Sequence, residues 1–116
     1  MKILIVILSI FCIFQNSNDE HNIVGTWNTL EDNTTIQILE QKGMLIGRIK
    51  SSDNTKAQVG RLILKDLIKS GNSWSGKIFA IKKNEWYDVE ITSKKNGLNL
   101  KIQIGFIHKN LIWEKS

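Results

Sequence analysis

The sequence predicts an all-β protein, a single small antiparallel up-and-down β-barrel of about eight strands. Three observations predict it. From residue 24 onward, apolar and polar residues alternate with period two in short segments, the side-chain repeat of half-buried strands. Turn signals separate these segments at roughly the 8–12-residue spacing of a sandwich or barrel. Each segment also has one apolar face, which a flat sheet would leave in water. Closing the sheet buries that face and removes the edges that invite aggregation.

Each element has its own justification. Residues 24–29 form a first strand around Gly25-Thr26-Trp27, and residues 30–33 are polar and turn-like. Residues 34–41 follow, with Ile36, Ile38 and Glu40 on one face, and Lys42-Gly43 makes a tight connection to residues 44–51. In that third strand Leu45, Gly47 and Ile49 alternate with Met44, Ile46, Arg48 and Lys50, and a polar loop comes next. Residues 61–69 read two ways. Leu62, Leu64 and Ile68 fit a strand if Asp66 is tolerated between them, and Leu64, Leu67 and Ile68 fit one face of a helix. After Ser70-Gly71-Asn72, residues 73–81 place Trp74, Gly76, Ile78 and Ala80 together. Residues 85–93 put Tyr87, Val89 and Ile91 on one face and Trp86, Asp88, Glu90 and Thr92 on the other. Asn96-Gly97 predicts a type I′ hairpin turn into residues 98–106, where Leu98, Leu100, Ile102, Ile104 and Phe106 alternate with polar residues and Gly105. Residues 109–115 close the chain with Leu111 and Trp113 on one face, which leaves His108 in the last turn.

The 116 residues begin with Lys2 and an apolar run over 3–14, the layout of a secretory signal peptide. That run would span about 18 Å as a helix against roughly 30 Å of hydrocarbon, too short for a transmembrane span. Residues 1–19 are therefore read as a signal peptide cut somewhere in 15–19, and residues 23–116 as one domain. The protein is then exported, to the periplasm or beyond. Cys12, the one cysteine, lies in the apolar run, so the domain has no thiol for catalysis or metal binding. The net charge is +5, but only two of the cations are Arg (Arg48 and Arg61) and no basic run exceeds two residues. That pattern argues against nucleic acid as a partner, since base and phosphate readers favour the Arg fork.

One ordered series of motifs carries a resemblance. Gly25-Thr26-Trp27 is followed by Gly47-Arg48-Ile49, by Leu62 to Leu67, and by Trp74-Ser75-Gly76-Lys77-Ile78-Phe79. Then come Trp86-Tyr87-Asp88-Val89-Glu90-Ile91, Leu100-Lys101-Ile102 and Trp113-Glu114-Lys115. The series resembles the DUF2147 family of small exported bacterial proteins over about residues 23–115. The resemblance implies a lipocalin-like, or calycin-like, barrel and an exported location, and it brings no established chemistry. Three positions depart from the family pattern. Ile46 stands where members often carry Cys, and Ala80-Ile81 where Asp-Pro often follows. Gly105 comes one residue late, which suggests a shifted bulge.

The candidate chemistry is sparse. His21 and His108 lack the spacing of a metal pair, no nucleophile elbow is present, and no cofactor or metal is expected. Trp86, Asp88 and Glu90 share a strand face, and with Trp74 they form the candidate ligand-binding group. The two carboxylates could act as an acid/base pair, or could be solvated and neutralised by cross-strand Lys77 or Lys101. Trp86 is either an exposed contact for a sugar or protein or a ring lying over a neighbouring strand. Gly25, Trp27 and Trp113 are the expected barrel floor, with the Trp27 N–H finding a carbonyl and Lys109 or Lys115 against its ring. Few inward positions are small, which favours a filled or nearly filled interior. The resulting expectation is a non-enzymatic protein that binds or joins the cell envelope through its outer surface. The alternative is a lipocalin-like carrier of a small apolar ligand.

Overall fold

Eight antiparallel strands follow one another around a closed barrel in chain order, β1-β2-β3-β4-β5-β6-β7-β8. They are β1 (Gly25–Asn28), β2 (Thr35–Gln41), β3 (Met44–Ser51), β4 (Leu62–Ser70), β5 (Ser73–Ala80), β6 (Glu85–Lys94), β7 (Gly97–Ile104) and β8 (Ile107–Lys115). The computed structural model describes residues 22–116, so the expected signal peptide, Cys12 and His21 lie outside the described residues. Among the described residues no helix is long and apolar enough to cross a membrane. The up-and-down order puts the connections after β1, β3, β5 and β7 at one end, the mouth. Those after β2, β4 and β6 lie at the other, beside the start of β1 and the end of β8.

The alternation in the sequence becomes layers in the barrel. One inward layer runs through the partners Gly25, Ile38, Gly47, Leu64, Ile78 and Tyr87. Another joins Trp74, Ile91, Leu100 and Leu111. Ile36, Ile38, Ile49, Leu64, Leu67, Ile91, Leu98 and Leu100 are almost wholly buried, and they carry most of the apolar area that drives folding.

The ambiguous segment is strand β4, and its helix-like spacing has a physical origin. Asp66 takes a left-handed φ of 56°, and the β4–β5 register shifts between Lys65 and Ile68. This bulge adds one residue, so Leu64 and Leu67 are both buried while Ile68, expected inside, is exposed. Gly76 faces the bulge on β5, and a Cβ there would come within 2.6 Å of the Lys65 carbonyl oxygen. The bulged backbone can approach β5 only because that position is glycine.

Three turn assignments are corrected. The β6–β7 turn residues are Lys95 and Asn96, neither with positive φ, and Gly97 already pairs with Lys94. Gly97 serves a close approach instead, since a Cβ there would lie 2.4 Å from the Trp113 carbonyl oxygen. Positive φ at both centres occurs instead at Lys42-Gly43, at 53° and 83°, and at Asp32-Asn33, at 51° and 49°. At the other end of β7, Gly105 (φ 60°) and Phe106 form a two-residue turn, where a shifted bulge was expected. Phe106 is therefore a fully exposed turn tip instead of an inward residue, and His108 lies in β8 opposite Gln103. Glycine at the first turn centre is the II′ arrangement, which suits the twist of a hairpin.

Candidate functional site

The outer wall carries part of the expected group. Trp86, Asp88 and Glu90 share the outward face of β6, whereas Trp74 pairs with the fully buried Ile91 and packs on the core side. The strand alternation thus places Trp74 on the opposite face from the other three. Asp88 is salt-bridged to its cross-strand partner Lys77, and both side chains are largely exposed. Glu90 faces Lys101 across β7 and accepts a hydrogen bond from the Ser73 hydroxyl at 3.3 Å. Both acids therefore sit opposite lysines on a wet sheet face, in a shallow groove they share with Asp66 and His108. The Trp86 ring packs edge-on against Phe79, with centroids 5.3 Å apart, and the Lys65 ammonium lies 4.2 Å over its face. Arg61 stacks over Phe79 in the same way, so the aromatic pair is covered by two cations. Among the described residues no cluster of three or more His, Cys, Asp or Glu is placed to hold a metal ion.

At the closed end, Trp27 and Trp113 are both buried in the core. The Trp27 indole N–H donates to the buried Ile23 carbonyl at 2.9 Å, which ties the start of the domain beneath the barrel. Gly25 allows this with a φ of 149°, a conformation that side chains rarely adopt. Lys115 is the cross-strand neighbour of Trp27. Lys109 lies elsewhere, at the mouth.

The mouth holds the feature that the pattern of faces did not reveal, a cavity of about 190 Å³. Its inner part is lined by the buried side chains Ile36, Ile63, Ile78, Ile102 and Trp113. Half-buried Ile81, Tyr87, Ile104 and Leu111 continue it outward. Thr29, Thr34, Asn54, Glu31, Asp32, Lys82 and Lys109 form the rim. The cavity has a structural cause. β1 spans four residues and meets β8 in only two pairs, Trp27 with Lys115 and Asn28 with Glu114. Beyond them β8 continues without a β1 partner, so one wall contributes no inward strand residues at the level of Lys109 and Leu111. The interior is accordingly packed at the closed end and hollow at the mouth.

Polar contacts hold the rim in shape. Asp53 N donates to the Asp32 carbonyl at 2.8 Å, and the Asn33 side-chain amide donates to the Asp53 carboxylate at 2.7 Å. The Thr34 and Ser52 hydroxyls are 2.6 Å apart. These bonds tie the β1–β2 turn to the β3–β4 loop. Tyr87 donates from its hydroxyl to Glu85 at 3.0 Å. Its pKa is raised above the ordinary value of 10.0 by desolvation first, then by that hydrogen bond and the Glu85 charge.

The sequence carried one signal for this site. Lys109 occupies the same alternating face as Leu111 and Trp113, which makes it a lysine in an inward row of apolar residues.

These features define a small, closed, eight-stranded antiparallel barrel with an apolar cavity at one end. The family described as "Uncharacterized protein conserved in bacteria (DUF2147)" matches residues 25–115, and the chain belongs to that family. No curated protein and no solved structure matches the chain.

Proposed function

We propose that this protein is an exported, non-enzymatic barrel that binds one small apolar ligand in the mouth cavity. The observation that supports this reading best is the cavity, about 190 Å³ of mostly apolar lining with its polar groups gathered at the rim. An apolar cavity of roughly 150 Å³ stays dry and takes up benzene, because displacing nothing and gaining dispersion contacts is favourable. By that measure the ligand has a skeleton of about six to eight carbons. The competing reading, an outer-surface role around Trp86, has less support, since Lys65 already covers that ring and Lys77 pairs with Asp88. Export is supported by Lys2 and the apolar run over residues 3–14. N-terminal sequencing of the protein from its host's envelope should find a start beyond residue 14, and an intact Met1 there would contradict export.

Benzene titrated into the protein, followed by NMR of the isoleucine methyl groups, tests the binding reading. Saturable shifts are expected at Ile36, Ile78 and Ile102, with Ile38 and Ile91 in the packed interior unmoved. The absence of saturable shifts at the first three would overturn it.

A further inference from the structure

We propose that the mouth cavity selects a small apolar acid, its carboxylate held by Lys109 with help from Lys82. This deepens the preceding reading and rests on it. Lys109 is the cross-strand partner of the buried Ile102, so it stands on the inward face of β8 two residues from Leu111. Lys109 both lines the cavity and is exposed, a combination open to a long charged side chain at an apolar boundary. Lys82 reaches the same cavity from the β5–β6 turn.

Neither lysine is in an ion pair, the one salt bridge among the described residues being Lys77 with Asp88 on the outer wall. The rim acids are placed differently. The Asp32 carboxylate accepts from the Asn54 side-chain amide at 3.2 Å, and its carbonyl accepts from Asp53 N, so Asp32 binds the β1–β2 turn to the neighbouring loop. Glu31 belongs to that same turn, and its carbonyl accepts from Thr34 N. Glu31 also ends in an uncommitted charge but lies in the β1–β2 turn, whereas Lys109 stands in the inward strand row that continues the apolar lining. A carboxylate whose tail touched Ile102 and Leu111 would meet Lys109 at the end of the same row. In a partly desolvated mouth such a charge-assisted hydrogen bond is stronger than one in open water.

The test compares three probes with one skeleton, hexanoate, 1-hexanol and hexylammonium, titrated at pH 7 against the isoleucine methyl resonances. Hexanoate should bind about tenfold more tightly than 1-hexanol, the discrimination that one charged hydrogen bond supplies. Lys109→Met should bring the two within about twofold by weakening hexanoate, with unchanged methyl resonances of the packed Ile38 and Ile91 reporting that the variant is folded. Equal binding of hexanoate and 1-hexanol by the wild type, or tighter binding of hexylammonium, overturns the acid preference and leaves the apolar site standing. A preference that survives Lys109→Met also overturns the proposal. Failure of all three probes removes the apolar site and the proposal together.

Discussion

The closed end and the mouth of this barrel are made from the same alternating strands, and they differ in how their ends are finished. At the closed end, two-residue turns such as Lys42-Gly43 join neighbouring strands directly, and Trp27 hydrogen-bonds to the buried Ile23. At the mouth, residues 29–34 and 52–61 make longer connections, and β1 stops short of the rest of the wall. The closed end therefore packs its apolar side chains against one another, and the mouth leaves about 190 Å³ between them. The lesson is that one short strand in a closed barrel is enough to leave one end of an otherwise filled interior hollow. Most of a barrel this small must hold itself together, and only the end that is free of that duty can hold a ligand.

Stability is the first way to break the comparison. Truncating Trp27 to Ala should cost about 3–5 kcal/mol in chemical denaturation, because it opens a large hole in a packed region. Leu111→Ala, beside a space that already exists, should cost less than about 2 kcal/mol, since half-buried Leu111 has fewer contacts to lose. Equal costs, or a Trp27→Ala loss below about 1 kcal/mol, would mean that the two ends do not differ as described.

The outer wall gives a smaller effect. Asp88→Ala should change stability by no more than about 0.5 kcal/mol, because the Lys77–Asp88 bridge is exposed and screened by water and salt. A loss well above that would show that the bridge carries more than a screened surface contact.

The smallest effect is spectroscopic and sharpens the picture of the rim. Tyr87 is the only tyrosine, so its ionisation can be followed by absorbance without overlap from another. The midpoint should lie above 10.0, and Glu85→Gln should lower it by removing the nearby charge. A raised pKa means the folded state holds this proton more firmly than the unfolded chain does. The stabilisation is complete below the ordinary value and disappears as pH rises through the folded one. A midpoint at or below 10.0 would place Tyr87 away from both Glu85 and the desolvating rim.

How much of this was legible in the sequence divides along the same line. The strands were legible because alternation is a local property, and the inward faces of β2, β3, β6 and most of β7 follow directly from it. Where the period breaks, the reading strayed. Leu64 and Leu67 look like one side of a helix because a bulge at Asp66 inserts a residue, and nothing local announces that bulge except Gly76 on another strand. Gly97 looks like a turn residue, yet its small size serves the approach to Trp113, a contact with a distant part of the chain. Gly105 interrupts an apolar run without the usual Asn or Asp beside it, so Phe106 reads as core.

The candidate site was less legible than the fold. Cross-strand neighbours such as Lys77 and Lys101 could be guessed from composition, and the register places both opposite the acids of β6. The cavity could not, because it depends on how far β1 extends along β8, which no pattern within either strand reveals. Lys109 was visible as a charge in an apolar row, but only the location of the hollow gives it a use.

The most direct test of the difference between the two ends is a crystal structure under xenon pressure, since xenon enters dry apolar cavities and finds no room in packed ones. One ordered xenon site between Ile36, Ile78 and Ile102, with none among Leu45, Leu67 and Ile91 of the packed end, is the predicted result. Xenon at the closed end, or none at the mouth, would contradict the account.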